Sequence, residues 1–267
     1  MLENLAAASV PETAQPLVNI RDLGGIKVDD GVVRPGWLWR SDDPTLSPQD
    51  EIRSLADQGV TAVLDLRSTP ESQASPHAAA EALGMRAHHL PLAEAAVNPM
   101  ALVKAAPSMK SPRDVGRWYA SLVRSHSQEV VQGLSVMAGN DGGTLFHCAA
   151  GKDRTGILAG VVLTLLGAPR DVVVEDYSRT EQNLTAIFAR LAEAAYIKGR
   201  ASAAEISEDE RKAQEFFASD HPLLGATPES MDAMLTELGG QSGLMELVGA
   251  HRQADPLAER LHAKLVQ

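Results

Sequence analysis

One stretch of sequence limits the possible folds more than any other: residues 155–166, which are apolar on every side of a helix. Gly167 and Pro169 follow this stretch and are typical helix stops. A helix without a polar face is stable only when other elements surround it. Just before it, residues 144–147 follow a Gly-Gly pair and predict a short strand. The sequence therefore predicts a strand, a loop and a buried helix at the centre of one core.

Elsewhere, short β-type runs come early in the chain and helical patterns come late. The predicted strands are 17–20, 36–40, 60–66 and 86–92. Between them, Ser47 is predicted to cap a helix that has Pro48 at its first position and Gly59 as its stop. The predicted later helices are 170–177, 182–198, 207–218, 228–238, 242–248 and 256–265. This order indicates an α/β domain, with a central sheet flanked by helices and a helical C-terminal part.

The composition restricts the partners. The 267-residue chain carries 24 Lys and Arg against 35 Asp and Glu, a formal charge of −11. This negative charge disfavours nucleic acid as a partner, because the overall field repels phosphate backbones. The longest apolar run, 157–166, spans roughly 15 Å as a helix, about half a bilayer core, so we predict no integral membrane segment.

Residues 1–16 are interpreted as a flexible leader and 17–267 as a single domain, since no linker divides the latter. The leader lacks a basic region followed by an apolar run, so we expect a cytoplasmic protein, or one secreted without a recognisable signal peptide. The only cysteine is Cys148, which excludes an intramolecular disulfide and a thiolate zinc site. No histidines stand at a metal-ligand spacing, and we expect neither a metal nor another cofactor. The sequence does not determine the oligomeric state.

The loop between the predicted strand and the buried helix carries the chemistry. A loop that enters a helix N-terminus directs backbone N–H groups into one concavity, which favours an anion. The same groups favour a thiolate at Cys148, and the guanidinium of Arg154 can hold two phosphoryl oxygens at once. Thr155 can donate its hydroxyl to that thiolate. The predicted phosphate-binding residues are Ala149, Ala150, Gly151, Lys152, Asp153 and Arg154.

Residues 147–156 read His-Cys-Ala-Ala-Gly-Lys-Asp-Arg-Thr-Gly and resemble the Cys-x5-Arg signature of cysteine-dependent protein tyrosine phosphatases, in particular the bacterial PtpB-like branch. Shorter motifs that fit the same branch stand at 19–25, 39–41, 65–68 and 176–178. The resemblance implies the fold of these phosphatases and a hydrolase that forms a phosphocysteine intermediate on Cys148. It implies phosphotyrosine as the substrate, with phosphoserine, phosphothreonine and phosphoinositides as further candidates, and hence a phosphorylated protein or phosphoinositide as partner.

Cleavage of a phosphate monoester needs an acid for the leaving oxygen and a base for the attacking water. Asp153 lies in the loop beside Arg154, and the resemblance implies that this loop aspartate is the acid. Asp65 ends an apolar strand, where side chains of open α/β sheets meet ligands. The other interpretation of Asp65 is an ion pair with Arg67 or a cap for the next loop. We favour Asp153 and keep Asp65 as the alternative acid.

Three further assignments have two interpretations each. Lys152 either adds a second positive charge to the phosphate site, as in similar loops of phosphoinositide phosphatases, or is a solvated loop lysine. Residues 182–218 either form a helical lid, as in PtpB-like enzymes, or pack as ordinary C-terminal helices. Arg21, Arg40 and Arg67 either extend a basic pocket or form structural ion pairs.

Two other functions compete with the phosphatase. A phosphate-recognition domain without turnover is the main alternative, and the presence of Cys148, Arg154 and Thr155 together disfavours it. A sulfur transferase would also use a cysteine loop, but a seven-residue loop containing Asp153 speaks against that class.

Overall fold

The computed structural model describes residues 14–97, 99–199, 208–251 and 256–267. Most of the predicted leader, residues 1–13, therefore lies outside the described residues. Gln15, near the end of the leader, lies against the domain, where its N–H donates to the Leu46 carbonyl at 3.2 Å. No described helix is both long enough and apolar enough to cross a lipid bilayer.

Seven strands lie in the described residues: β1 (Arg21–Asp22), β2 (Lys27–Val28), β3 (Gly31–Val32), β4 (Leu38–Ser41), β5 (Val60–Asp65), β6 (Arg86–His89) and β7 (Gly143–His147). Five of them form one sheet in the order β1-β4-β7-β5-β6. Strands β4, β7, β5 and β6 run parallel, and β1 pairs with β4 in the antiparallel direction at the edge. Strands β2 and β3 form a separate antiparallel pair. Strand β7 is therefore the central strand of the sheet.

The described α-helices are, in chain order, α1 (Gln49–Asp57), α2 (Thr69–Ala74), α3 (Ala78–Ala82), α4 (Glu94–Val97), α5 (Pro99–Ala105), α6 (Pro112–Ser125), α7 (Ser127–Gly139), α8 (Asp153–Leu165), α9 (Arg170–Ser178), α10 (Leu184–Gly199), α11 (Glu208–Phe217), α12 (Pro228–Glu237), α13 (Gly240–Gly249) and α14 (Leu257–Leu265). Short 3-10 helices lie at Pro44–Leu46, Ala106–Ser108, Arg179–Asn183 and Pro222–Leu224. Helices flank the parallel strands, and all described elements after β7 are helical. The predicted α/β class is confirmed.

The predicted central unit is confirmed as strand β7, a loop and helix α8. Every residue of α8 from Arg154 to Leu165 is buried. Helix α8 packs against β4 and β7 of the sheet and against helices α6, α7, α9 and α13. This helix without a polar face is therefore surrounded by other elements, as its sequence predicts.

Two local predictions near the N-terminus are wrong. Residues 17–20 form no strand, because their N–H groups donate to carboxylates: Leu17 to Glu51 at 2.9 Å, and Asn19 to Asp42 at 3.0 Å. Ser47 does not cap α1, which begins at Gln49 without a side-chain cap. Its hydroxyl instead accepts a hydrogen bond from another part of the chain.

Residues 94–139, for which the sequence analysis gave no elements, form helices α4 to α7. Helix α6 buries Val115, Tyr119, Leu122 and Val123, a helical spacing that was readable in the sequence. Helix α12 packs closely against α6. At Gly116 a Cβ atom would stand 2.2 Å from the Ser230 carbonyl, so only glycine permits this approach.

The predicted lid, 182–218, comprises α10, α11 and a segment, 200–207, that lies outside the described residues. The first half of α10 is attached to the body of the domain. Arg190 forms an ion pair with the buried Asp42, and donates to the Ser47 hydroxyl at 2.6 Å. Ile187 on the same helix is fully buried. The lid over residues 182–218 stays a prediction.

Candidate active site

The loop 148–152 leaves the C-terminal end of the central strand β7 and enters helix α8. Ligands of open α/β sheets bind at this edge. Gly151 has a φ of +66°, and a Cβ there would stand 2.5 Å from the Ser41 carbonyl of β4. The loop needs glycine at this position for both reasons, because other residues rarely adopt a positive φ and have no room for their side chain.

Side chains from the start of the chain hold the back of this loop. Asn19 Nδ2 and Arg40 Nη2 donate to the Gly151 carbonyl at 3.1 and 2.9 Å. The backbone N–H of Asp43 donates to the Ala149 carbonyl at 3.1 Å. In contrast, the N–H groups of 149–152 make no hydrogen bond to any described residue. The carbonyls are tied down and the N–H groups are left for a ligand, which favours an anion.

Cys148 lies at the base of this loop and is 2% exposed. The sulfur lies close enough to influence both basic residues of the loop electrostatically. Burial alone would lower the pKa of Arg154, but the Cys148 charge and the Glu71 carboxylate raise it above its ordinary value. The predicted hydrogen bond from Thr155 to the sulfur is not formed. The Thr155 hydroxyl is fully buried and has no partner among the described residues.

Glu71 of helix α2 fixes the guanidinium of Arg154. Nη1 and Nη2 of Arg154 donate to the two Glu71 carboxylate oxygens at 2.9 and 3.3 Å, and Nη1 also donates to the Leu66 carbonyl. Burial would raise the pKa of Glu71, but the Arg154 hydrogen bond and charge lower it to about 2. The other edge of the guanidinium, Nε–H and one Nη2–H, has no partner among the described residues. That edge can hold two phosphoryl oxygens.

Glu71 was missed by the sequence analysis, although a signal for it exists. Ser68 caps α2, and Glu71 completes a capping box by accepting from the Ser68 N–H at 2.8 Å. The spacing Ser-x-x-Glu is readable in the sequence. It predicts the helix start, but not the arginine that the same carboxylate binds.

Lys152 and Asp153 lie where the loop enters helix α8, and the partly exposed Asp153 marks the mouth of the loop. Lys152 is 2% exposed, so it is not a solvated loop lysine, the second of its two interpretations. Its Nζ donates to Asp153 Oδ1 at 2.7 Å and to the Leu223 carbonyl at 2.8 Å. Burial would lower the pKa of Lys152, but the Asp153 charge raises it, so the amine stays charged. The Asp153 side chain is 20% exposed and also accepts from the Tyr119 hydroxyl.

The alternative acid, Asp65, does not fit that role. Arg67 donates to its two oxygens at 2.9 and 2.7 Å, and His77 Nε2 lies 3.2 Å from it. Burial would raise the pKa of Asp65, but the His77 and Arg67 hydrogen bonds hold it far below its usual range. A carboxylate that stays ionised has no proton to give. The structure therefore favours the ion pair with Arg67, the other interpretation of Asp65.

The three arginines are structural ion-pair partners and do not extend an open basic pocket. Arg21 and Arg40 both pair with Asp176, and Arg40 is fully buried. Burial and the Arg40 charge lower the pKa of Arg21 to about 10. Arg67 pairs with Asp43 and Asp65.

A cluster that the sequence analysis did not predict lies behind the loop. Asp65, His77 and His147 place one ligand atom each within 4.8 Å of one another. Arg67 Nη2 lies 3.4 Å from His77 Nε2 and 2.7 Å from Asp65, so a cation already occupies this position and a metal does not fit. Burial and the His77 charge lower the pKa of His147 to about 3. His147 is thus neutral, and its Nδ1 lies 3.1 Å from the Cys148 carbonyl.

Known proteins resemble this chain in sequence. A tyrosine-protein phosphatase of Nostoc commune is 35% identical over 127 residues, 47% of this chain and 42% of that protein. A Cupriavidus necator protein, also named as a tyrosine-protein phosphatase, is 33% identical over 172 residues, 61% of this chain and 60% of the relative. The triple specificity protein phosphatase PtpB of Mycobacterium tuberculosis is 27% identical over 200 residues, 66% of this chain and 71% of PtpB.

The matched part of the chain spans less than two thirds of the length of the first two relatives. A family model covers far more of the chain. The model of the tyrosine phosphatase family matches residues 13–266, which include every element that builds the loop and its supports. The chain therefore belongs to the tyrosine phosphatase family.

Proposed function

We propose that this chain hydrolyses phosphate monoesters, with protein phosphotyrosine as the principal substrate, through a phosphocysteine intermediate on Cys148. One observation carries the proposal. A cysteine, a loop of unpaired N–H groups and an arginine with one free edge meet at the N-terminus of a buried helix. Each part suits a phosphate dianion bound over a sulfur nucleophile.

Substrate binding uses the loop and Arg154. The N–H groups of 149–152 and the positive end of the α8 dipole receive the phosphoryl oxygens. The free Nε and Nη2 edge of Arg154 holds two of these oxygens, while Glu71 keeps the guanidinium in plane. The same contacts stabilise the phosphoryl group in the transition state, where it lies between sulfur and the leaving oxygen.

In the first chemical step the Cys148 thiolate attacks phosphorus. The S–P bond forms as the bond from phosphorus to the ester oxygen breaks, and the electron pair of that bond goes to the leaving oxygen. Asp153, protonated at this stage, gives its proton to that oxygen and releases a neutral phenol or alcohol.

In the second step water attacks the phosphocysteine. The Asp153 carboxylate takes the proton of the water, the new O–P bond forms and the S–P bond breaks. Inorganic phosphate and the Cys148 thiolate are released. The Thr155 hydroxyl is buried and has no partner among the described residues, and we assign to it a rotation that lets it donate to sulfur as the negative charge returns.

Lys152 brings a second positive charge close to the phosphate-binding loop. Lys152 stays ionised beside Cys148, and its charge adds to that of Arg154. The name of the Mycobacterium tuberculosis relative states a triple specificity. Phosphoserine, phosphothreonine and phosphoinositides are therefore included as further candidate substrates, to be tested in a side-by-side panel with phosphotyrosine peptides.

The test compares wild type with Cys148→Ser on 4-nitrophenyl phosphate and on a phosphotyrosine peptide. We expect the variant to lose roughly 10⁴-fold or more in kcat, since the nucleophile is removed. Acid-quenched wild-type enzyme should carry one phosphoryl group on Cys148 by mass spectrometry of the digested protein. Full hydrolysis by the serine variant would contradict the mechanism.

The same experiment tests the main alternative, a phosphate-recognition domain. Such a domain would bind the phosphotyrosine peptide in a titration and release no inorganic phosphate from it. Turnover by wild type, together with its loss in Cys148→Ser, excludes this alternative. Peptide binding without turnover by wild type would establish it.

A further inference from the structure

A tyrosine far from the loop in sequence bonds to the proposed acid. Tyr119 lies on helix α6, is fully buried, and donates its hydroxyl hydrogen to Asp153 Oδ1. The hydroxyl of Tyr177 on α9 lies 3.1 Å from that of Tyr119. The two rings meet edge to face, with their centroids 6.2 Å apart. The two buried hydroxyls thus form a chain of hydrogen bonds that ends at the Asp153 carboxylate.

We propose that Tyr119 is a positioning residue for the general acid: it holds Asp153 so that Oδ2 carries the proton towards the leaving oxygen. The inference rests on the proposed function, because it assigns the acid to Asp153. It adds a residue outside the loop, from a helix that contains none of the phosphatase-like motifs.

The count of hydrogen-bond donors leaves one oxygen for the chemistry. Tyr119 and Lys152 Nζ both donate to Asp153 Oδ1, and no described residue donates to Oδ2. Tyr119 has a single hydroxyl hydrogen, so Tyr177 must be the donor in the bond between the two tyrosines. The direction of the whole chain of bonds is therefore fixed, from Tyr177 through Tyr119 to Asp153.

This arrangement is compatible with both protonation states of Asp153. When the proton is on Oδ2, Oδ1 is a carbonyl oxygen and still accepts from Tyr119. When the proton has moved to the leaving oxygen, Oδ1 is part of a carboxylate and accepts more strongly. The tyrosine bond therefore persists through the cycle, and the carboxyl group does not have to reorient between the two steps.

The surroundings keep the tyrosines in place and neutral. Burial, followed by the charge of Asp153, raises the pKa of Tyr119 well above its usual value, so the hydroxyl remains a donor. Tyr177 packs on the first turn of α8. A Cβ at Gly156 would stand 2.8 Å from the Tyr177 ring, which explains the glycine at this position of the loop motif.

The test is Tyr119→Phe, assayed on aryl phosphates with good and poor leaving groups. We expect kcat for phenyl phosphate, which needs the proton, to fall about 10-fold, with KM unchanged. For an activated ester such as 4-nitrophenyl phosphate the fall should be about twofold or less. Combining Tyr119→Phe with Asp153→Asn should be no slower than Asp153→Asn alone, because the tyrosine acts only through Asp153.

Ser230→Ala is the matched control. Ser230 is fully buried, and its hydroxyl donates to the Pro112 carbonyl at the start of α6, so the variant also removes a buried hydroxyl bond at this helix. We expect it to leave the ratio of the two kcat values unchanged. If Tyr119→Phe does not fold, Tyr177→Phe should give the same pattern with a smaller loss, because its hydroxyl supports that of Tyr119.

The failure of this inference differs from failure of the proposed function. The positioning role is overturned if the tyrosine variants lose kcat equally on good and poor leaving groups, or if the losses add in the double variant. In either case Cys148→Ser would still be inactive, and the proposed function would stand. Full activity of Cys148→Ser would instead overturn the proposed function, and the role of Tyr119 with it.

Discussion

Two aspartates lie next to the same loop, and their surroundings differ in kind. Asp65 is 2% exposed in its side chain, and Arg67 and His77 bind its oxygens from behind the loop. Asp153 is 20% exposed at the mouth of the loop, and its bonds come from a neutral tyrosine and from Lys152 on one oxygen only. One carboxylate is saturated by fixed donors and the other retains a free oxygen.

This difference supports the proposed roles, a structural one for Asp65 and proton transfer for Asp153. A buried carboxylate whose oxygens all receive bonds from a guanidinium and a histidine stays ionised and holds its neighbours in place. A partly exposed carboxylate with one free oxygen can gain and lose a proton beside a substrate. Asp65 ends strand β5, and Asp153 begins helix α8 after the loop that follows β7, so both lie near the C-terminal edge of the sheet. That shared edge does not distinguish these roles. The donors around each one do.

The largest expected effect is on stability, in Asp65→Asn. The amide leaves the buried Arg67 with only part of its charge compensation, and we expect the free energy of unfolding to fall by about 3 kcal/mol. The melting temperature should drop by about 6 to 12 °C. Differential scanning calorimetry measures the change.

Asp232→Asn is the control for that measurement. Asp232 pairs with Arg170 at the surface, where both side chains are nearly half exposed. Removing an exposed pair should cost about 1 kcal/mol or less. If the two variants were equally stable, Asp65 would not have the supporting role that we assign to it.

The next effect is on activity, in Asp153→Asn. We expect the melting temperature to change little and kcat for phenyl phosphate to fall about 100-fold, because the proposed general acid is lost. Activated esters should be less affected, since their leaving oxygen needs no proton.

Asp171→Asn controls for the position of Asp153 in the first turn of a helix. Asp171 stands in the first turn of α9 and is exposed. It supplies the same charge to a helix dipole without touching the loop, so its replacement should leave kcat unchanged for both esters. A comparable loss in the two variants would mean that charge at a helix end, and not proton transfer, explains the effect.

Much of the loop was readable because its parts are close in sequence. The apolar run fixes a buried helix, the glycine pair starts the strand before it, and the spacing of Cys148 and Arg154 is set by the covalent chain. Periodicity and helix stops report such local features directly. These features yielded the α/β class, the strand β7 and the helix α8.

The partners of the loop were not readable in the same way. Glu71 is 83 residues from Arg154, and Tyr119 is 34 residues from Asp153. Nothing in the spacing of either residue points to the loop, because only the packing of α2 and α6 on the domain brings them there. The two interpretations of Asp65 were left open for the same reason, since His77 reaches it from a separate segment.

The smallest expected effect concerns a third carboxylate, Glu71, which we compare with Asp65 and Asp153. Glu71 is saturated like Asp65, but it binds the arginine of the loop and its side chain is 35% exposed. In Glu71→Gln the amide can accept one of the two Arg154 bonds, so the guanidinium is held less firmly. We expect kcat/KM to fall about 10-fold for activated and poor leaving groups alike, because phosphate binding and not proton transfer is impaired.

The same variant has a pH signature in stability. The pKa of Glu71 is about 2 in the folded chain, below its ordinary value of 4.5, so its ionised form stabilises the fold. This contribution is complete above the unfolded pKa and is lost as the pH falls towards the folded one. The stability difference between wild type and Glu71→Gln, measured by urea unfolding, should therefore be constant near pH 7 and shrink below about pH 4.5. A difference that grew on acidification would show that the carboxylate does not stabilise Arg154 by its charge.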